Sequence, residues 1–268
     1  MRTRIISGAV LFFILAGAVA GGRITMFILS LAITCLGMFE LYRVVDIHKS
    51  ALGITGYLLA AVYYSLLWFD LMEFMQYYCV GSAVLIMFAY VCSFKTKKAD
   101  QAAFALLGIF YVAVPLSFLY KIRILPDYGI YLFILLFVCS WLADTFAYFT
   151  GVTLGKHKLV PHLSPKKSVE GAVGGVVGAT LMGLIYGIVL SNCLHVKAQI
   201  PFTVTSAAGA FISIFGDLAA SGIKRNFDVK DYSNLIPGHG GILDRFDSMI
   251  FVAPVVYIVG GLLMHVIQ

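Results

Sequence analysis

Long apolar stretches alternate with short polar connections along the chain. The apolar stretches cover residues 5–20, 24–39, 52–69, 76–93, 103–120, 128–150, 171–190, 200–220 and 248–267. Stretches of this kind are typical of helices that cross a bilayer, because about 20 helical residues span its apolar core. The pattern therefore predicts an all-α polytopic membrane protein with about nine transmembrane helices.

Composition supports this class, since 61% of the residues are hydrophobic and 12% are charged. The first apolar stretch follows Arg2 and Arg4, as in a signal peptide, but Gly22 and Arg23 lead directly into the next stretch. We therefore expect the first segment to be retained. The five cysteines lie in or beside apolar stretches without C-x-x-C spacing, which favours buried thiols over disulfides or zinc ligands.

Positive charge is distributed unequally between the two sides of the predicted spans. Only four of the 19 lysines and arginines fall on one side, namely Arg23, Lys121, Arg123 and Lys197. Because cytoplasmic connections carry an excess of positive charge, we expect a cytoplasmic N-terminus. The same rule places the connections 151–170 and 221–247 on the cytoplasmic side, which in a bacterium means the inner face of the inner membrane. A net charge of +6 suits a surface that meets anionic headgroups.

The most polar segment is 216–247, which stands out from its apolar surroundings. Its charged residues are Asp217, Lys224, Arg225, Asp228, Lys230, Asp231, Asp244, Arg245 and Asp247. Asp217 and Ser221 are four residues apart at the end of an apolar stretch, so they share one face of a helix. Asp244 and Asp247 are three apart and would also share a face if a helix begins there.

A glycine-rich loop, 237–241, lies between these two pairs of polar residues. Its three glycines allow close approach of the backbone, and consecutive N–H groups in such a loop can form an anion-binding nest. Carboxylates bind hard cations, whereas amides, lysine and arginine bind phosphate. The segment therefore predicts phosphoryl or nucleotidyl transfer chemistry.

A further acid, Asp144, lies well inside the sixth apolar stretch. A carboxylate at such a depth costs roughly 3 kcal/mol or more unless it is paired or hydrated. One interpretation is a structural hydrogen bond or ion pair between helices. The other is a polar cavity shared with Asp217, which is the only other acid inside a predicted span.

The connection 151–170 contains a second candidate site for an anion. Ser164 followed by Pro165 is a favourable N-cap and first-turn pair, which predicts a helix that begins there. Its backbone N–H groups, with Lys166 and Lys167 nearby, would then face an anion. The alternative is that these lysines only determine topology.

The seventh stretch contains three G-x-x-x-G pairs: Gly171/Gly175, Gly174/Gly178 and Gly183/Gly187. Such pairs let helices pack backbone to backbone. They predict close helix packing, either within one subunit or in a homodimer.

A family resemblance follows from the polar segment. Residues 221–231 read S-x-x-K-R-x4-K-D, and residues 237–247 read P-G-H-G-G-x-x-D-R-x-D. Together they resemble the signature of the phosphatidate cytidylyltransferase (CDP-diacylglycerol synthase) family. The string at 141–148 and the segment 164–171 resemble the same family.

The resemblance implies that CTP and phosphatidic acid from the bilayer react to give CDP-diacylglycerol and pyrophosphate. The lipid phosphate, which is largely ionised at neutral pH, would attack the α-phosphorus of CTP without a dedicated base. The implied partners are CTP, phosphatidic acid and membrane lipids, with no nucleic acid. We expect one membrane domain over residues 1–268, with spans 1–5 in residues 1–127 and catalytic spans 6–9 in residues 128–268.

The resemblance assigns roles to individual residues of this chain, at the positions that match the family signature. The resemblance implies catalytic roles for Asp217, Asp244, Asp247, Lys224 and Arg225. It implies substrate binding by Ser221, Lys230, Asp231, Gly238, His239, Gly240, Gly241, Arg245, Lys166, Lys167 and Ser168. The expected cofactor is Mg²⁺ in a two-cation centre, held by Asp217 and Asp244, with Asp247 or Asp144 as further ligands.

Two alternatives remain open at this point. A CTP-dependent lipid kinase acting on a polyprenol or phytol would need similar acids and loops, although the unbroken signature argues against it. A cation-coupled transporter would use Asp144 and Asp217 as its coupling pair. Neither G-x-x-x-x-G-K-[ST] nor G-x-G-x-x-G occurs, so loops and helix ends would have to hold the nucleotide.

Overall fold

The computed structural model describes residues 2–238 and 240–267. Within these residues it contains nine helices: α1 (Arg2–Ala20), α2 (Arg23–Val44), α3 (Ala51–Trp68), α4 (Met75–Cys92), α5 (Ala99–Arg123), α6 (Gly129–Leu154), α7 (Val169–Leu194), α8 (Gln199–Asn226) and α9 (Leu243–Val266). Among the described residues, eight helices are long and apolar enough to cross a membrane, while the apolar part of α1 is shorter. The prediction of an all-α polytopic membrane protein is confirmed.

Three of the helices are not α-helical throughout. Short π-helical turns interrupt α5, α6 and α9 at Gly108–Ala113, Val138–Leu142 and Val256–Gly260. A π turn widens the helix locally and changes the direction in which the following side chains point. The turn in α6 ends two residues before Asp144, so it helps to set the direction of that carboxylate.

The chain divides into two compact units. The first contains residues 2–18, 27–117 and 229–245, and the second contains residues 19–26, 118–228 and 246–267. The polar segment 216–247 is therefore shared between the units, with Asp217 and Asp247 in the second and Asp244 in the first. The single-domain organisation expected above stays a prediction.

Close packing of α6, α7 and α8 forms the core of the second unit. A Cβ atom built on Gly175 of α7 would lie 2.8 Å from the carbonyl oxygen of Ala143 in α6. Elsewhere on α7, a Cβ atom on Gly187 would lie 2.8 Å from the carbonyl oxygen of Ala198, next to the start of α8. The prediction that the glycine pairs of α7 permit backbone-to-backbone packing is confirmed.

The connection between α6 and α7 is a β-hairpin. Strands β1 (Lys158–Val160) and β2 (Ser164–Ser168) pair antiparallel, with Lys158 opposite Ser168. The prediction that a helix begins at Ser164 is wrong, because residues 164–168 are extended. Pro165 is compatible with this arrangement, since a strand paired on one side only does not need every N–H group.

Ser168 is the residue that caps α7. It has extended backbone angles, and its hydroxyl accepts a hydrogen bond of 3.1 Å from the N–H group of Gly171. Glu170 follows in the first turn, where an acidic side chain interacts favourably with the helix dipole. Its carboxylate also accepts from the backbone N–H groups of Lys156 and His157, which ties the start of the hairpin to the helix.

We expect the substitution Ser168→Ala to destabilise the protein by about 1 kcal/mol, because it removes a buried N-cap hydroxyl. This corresponds to a decrease of about 2–4 °C in the unfolding midpoint, which a thermal scan in detergent can measure. Ser164→Ala is the matched control and should leave the midpoint nearly unchanged. Equal decreases in both variants would show that Ser168 does not stabilise the helix as its cap.

Candidate active site

The second unit contains a cavity of about 540 Å³ that is bounded by α6, α7, α8 and the hairpin. Its polar lining residues are Asp144, Lys158, Lys166, Lys167, Ser168, Ser213 and Asp217. Apolar side chains, including Val152 and Ile214, form the rest of the wall. Because Asp144 and Asp217 line the same space, the structure supports the interpretation that the two acids share a polar cavity.

An ion pair spans this cavity. The Nζ atom of Lys167, in β2, contacts the Oδ2 atom of Asp217, in α8. The other carboxylate oxygen of Asp217 lies 3.5 Å from the hydroxyl of Ser221, one helical turn away. The side chains of Lys167 and Asp217 are 27% and 29% exposed, so the pair can reach a ligand in the cavity. Pairing also reduces the cost of placing Asp217 within an apolar helix.

Asp247 belongs to the same charged group. A Cβ atom on Gly216 would lie 2.8 Å from the carbonyl oxygen of Asp247, so α8 and α9 touch through their backbones. Asp247 interacts electrostatically with Asp217, Lys224 and Asp144. Asp144 in turn interacts with Lys167 and Asp217. The second unit therefore brings together eight of the predicted residues: Asp144, Lys166, Lys167, Ser168, Asp217, Ser221, Lys224 and Asp247.

The donor set in this cavity fits a hard divalent cation that is shared with a substrate. Among the described residues, no group of three or more His, Cys, Asp or Glu side chains lies close enough to enclose a metal ion. Mg²⁺ commonly takes only one or two carboxylates and completes its octahedron with water and substrate phosphates. Asp144 and Asp217, which both line the cavity, offer such a pair of oxygen donors.

In the first unit, Asp244 is held by backbone hydrogen bonds. The residue is 8% exposed, and its Oδ2 atom accepts from the N–H groups of Tyr232, at 2.8 Å, and Gly241, at 2.9 Å. The Gly241 amide, which was expected to contact phosphate, therefore binds one of the protein's own carboxylates in this structure. The pairing of Asp244 with Asp217 in one metal centre stays a prediction.

The glycine-rich loop forms a tight turn before α9. The N–H group of Ile236 donates to the carbonyl oxygen of Gly240 at 2.8 Å, which closes the turn. Gly238 and Gly240 have φ angles of +77° and +84°, a region that favours glycine. His239 lies outside the described residues. Three other predicted binding residues in the first unit are exposed, namely Lys230, Asp231 and Arg245. Arg225, in the second unit, is exposed as well.

Sequence reasoning missed one polar residue that the structure makes prominent. Glu40, in α2, is 1% exposed, and its carboxylate accepts from the Ser233 hydroxyl and from the N–H groups of Ile242 and Leu243. The predicted span ended at residue 39, whereas α2 continues to Val44. An acid in that extension of an apolar helix was the signal that could have identified Glu40.

Comparisons with known proteins agree with the signature. The model of the Cytidylyltransferase family matches residues 2–263. A phosphatidate cytidylyltransferase of Bacillus subtilis (strain 168) is 35% identical over 269 residues, which cover 96% of each chain. One from Thermotoga maritima is 35% identical over 196 residues, covering 69% of this chain and 71% of the relative. One from Staphylococcus saprophyticus is 40% identical over 158 residues, covering 59% and 58%. The chain therefore belongs to the cytidylyltransferase family.

Proposed function

We propose that the protein transfers CMP from CTP to phosphatidate, giving CDP-diacylglycerol and pyrophosphate. The observation that carries the proposal is the cavity in which Asp144, Lys167 and Asp217 are combined with apolar walls. Such a cavity suits a substrate with a phosphate headgroup and long acyl chains. The relative from Bacillus subtilis, similar along nearly its whole length, carries the name of this activity.

The proposed reaction is an in-line displacement at phosphorus. An oxygen of the lipid phosphate forms a bond to the α-phosphorus of CTP, and the bond from that phosphorus to the bridging oxygen of the β-phosphate breaks. Because the attacking oxygen is already ionised, no side chain has to remove a proton. The protein contributes alignment of the two phosphates and neutralisation of their charge. Lys166 and Lys167, which both line the cavity, are the proposed cationic contacts for phosphate oxygens.

A bound Mg²⁺ would supply additional charge neutralisation and act as a Lewis acid. Asp217 and Asp144 would hold it, and Asp247 interacts electrostatically with both of these acids. A second cation and a role for Asp244 as its ligand are also proposed, on the sequence signature alone. Lys224, Arg225, Lys230 and Arg245 are proposed to bind the triphosphate of CTP, again from the signature.

The proposal includes an orientation in the membrane. The chain is an integral membrane protein with several apolar helices. We place the cavity and the N-terminus on the cytoplasmic side of the inner membrane, where CTP is present, because positive charge is concentrated in the connections on that side. Tyr148 and Val152 of α6 are 66% and 69% exposed and border the cavity, so acyl chains of phosphatidate could remain in contact with lipid there.

Transfer of isotopic label tests the function. The purified protein in detergent, supplied with phosphatidate and Mg²⁺, should transfer label from the cytosine ring of CTP into lipid and release one pyrophosphate for each product formed. Label from the γ-phosphate should not enter lipid. Transfer of γ-label to a lipid alcohol would indicate a kinase instead. Cation flux in liposomes that does not depend on CTP, without any labelled lipid, would indicate a transporter.

A further inference from the structure

We propose that Glu40, which lies outside the signature, is a positioning residue for the reaction. Its carboxylate fixes the glycine-rich turn and the first turn of α9, and through them the predicted catalytic residue Asp244. The inference rests on the proposed function and concerns the predicted catalytic residue Asp244 in the first unit. All the contacts that carry it lie within the first unit.

The carboxylate of Glu40 receives three hydrogen bonds. Its Oε1 atom accepts from the Ser233 hydroxyl at 2.5 Å and from the N–H group of Ile242 at 2.9 Å. Its Oε2 atom accepts from the N–H group of Leu243 at 2.7 Å. The first N–H groups of a helix have no partner within the helix, so Glu40 caps α9 from a different helix. Glu40 is 1% exposed, and these bonds also compensate for the loss of hydration of its carboxylate.

The same carboxylate explains the glycine at position 241. A Cβ atom on Gly241 would lie 2.5 Å and 2.6 Å from the two carboxylate oxygens of Glu40, which is closer than a carbon atom and a non-bonded oxygen atom can approach. The N–H group of Gly241 meanwhile donates to Asp244 at 2.9 Å. Residues 241–243 therefore direct three successive N–H groups at two buried carboxylates, one from Asp244 and one from Glu40. A displacement at Glu40 would be transmitted to Asp244 along this short stretch of backbone.

A second contact from α2 supports the same role. Arg43, three residues after Glu40, donates from Nη2 to the carbonyl oxygen of Tyr232 at 2.9 Å. The N–H group of Tyr232 donates to Asp244 at 2.8 Å. One face of α2 thus holds both ends of the loop that leads to Asp244.

Kinetics of three variants test the proposal. Glu40→Ala should lower kcat/KM by about 100-fold, the cost of a displacement of roughly 1 Å at a catalytic group. Glu40→Gln, which keeps one acceptor oxygen, should lower it by about tenfold. We expect the KM for CTP to increase and the KM for phosphatidate to stay within about twofold, because the loop lies between Lys230 and Arg245, which are proposed to bind the triphosphate. Glu73→Gln, which changes an exposed acid in the same unit, is the control.

A double substitution distinguishes a positioning role of Glu40 from general destabilisation of the protein. Gly241→Ala alone should be strongly impaired because the added methyl group collides with Glu40. In the double variant Glu40→Ala/Gly241→Ala the collision is absent, so its activity should be no lower than that of the worse single variant. Hydrogen exchange of the amides of Ile242 and Leu243 should accelerate in Glu40→Ala, while exchange in α4 stays unchanged.

Three results would overturn the proposal: near-normal kcat/KM in Glu40→Ala, equal increases in both KM values, or a double variant whose loss equals the product of the two single losses. Failure of the proposed function is distinguishable from these results, because the unsubstituted protein would then form no CDP-diacylglycerol. In that case hydrogen exchange alone tests whether Glu40 holds the loop. Unchanged exchange of the Ile242 and Leu243 amides in Glu40→Ala would overturn its role.

Discussion

The substitution Asp217→Asn is expected to lower the rate of CDP-diacylglycerol formation by about 10³-fold. The change keeps the size of the side chain but removes the negative charge that the cavity presents to a cation. It also removes the partner of Lys167, which forms an ion pair with Asp217 in this structure. The rate is measured in detergent with saturating Mg²⁺, CTP and phosphatidate, so that weakened binding of any one component does not limit it.

Asp228→Asn provides a matched control for this prediction. Asp228 follows the same helix, is exposed, and has a φ angle of +53°, a conformation that asparagine also tolerates. The control should therefore retain almost full activity and the same unfolding midpoint. Near-normal turnover in Asp217→Asn would contradict the assignment of the cavity as the active site.

The second large effect is expected for Lys167→Gln, which should lower kcat/KM by about 10²-fold. Lys167 is partly exposed in the cavity and carries the cationic group that contacts Asp217. In the proposed reaction this charge stabilises phosphate oxygens as negative charge develops. Glutamine can still donate a hydrogen bond but has no charge, so the variant measures the electrostatic contribution.

Two further variants define how the effect of Lys167 arises. Lys167→Arg should recover part of the activity, because it restores the charge with a different shape. Lys197→Gln, at an exposed position in the connection between α7 and α8, should have no effect. If Lys167→Gln behaved like Lys197→Gln, the lysine would only offset the charge of Asp217.

The apolar pattern predicted most of the fold because membrane helices are determined largely by local composition. Its errors lie at helix ends, where polar residues extend beyond the apolar stretch. The second span was predicted over 24–39, whereas α2 covers Arg23–Val44. The five residues beyond the predicted end, 40–44, include Glu40, so a small error in a boundary removed a buried acid from consideration.

Residues of the candidate site could be predicted where a charged side chain lies in an apolar stretch, because that placement costs free energy. Asp144 and Asp217 were identified because an acid in a predicted span needs a partner, and they do line one cavity. The hairpin that supplies Lys167 could not be predicted, because pairing between Lys158 and Ser168 depends on contacts that single-residue preferences do not encode. Ser164-Pro165 fits a helix start locally, but strand pairing and the cap at Ser168 override that preference.

The glycine-rich loop was less informative than the glycine pairs of α7, whose close packing could be predicted. Gly241 was interpreted as a contact for a ligand, whereas here its N–H group binds Asp244 and its missing side chain leaves room for Glu40. Both situations require close approach to a glycine. A sequence does not reveal whether the approaching group belongs to a substrate or to a distant helix.

A crystal grown with Mn²⁺ and CTP offers the most direct measurement of the central claim, that the cavity in the second unit binds the catalytic cation. Anomalous scattering identifies manganese independently of the rest of the density. The account predicts a peak inside the cavity, about 2 Å from a carboxylate oxygen of Asp217. A fully occupied peak remote from both Asp144 and Asp217, with the cavity holding neither metal nor phosphate, would contradict it.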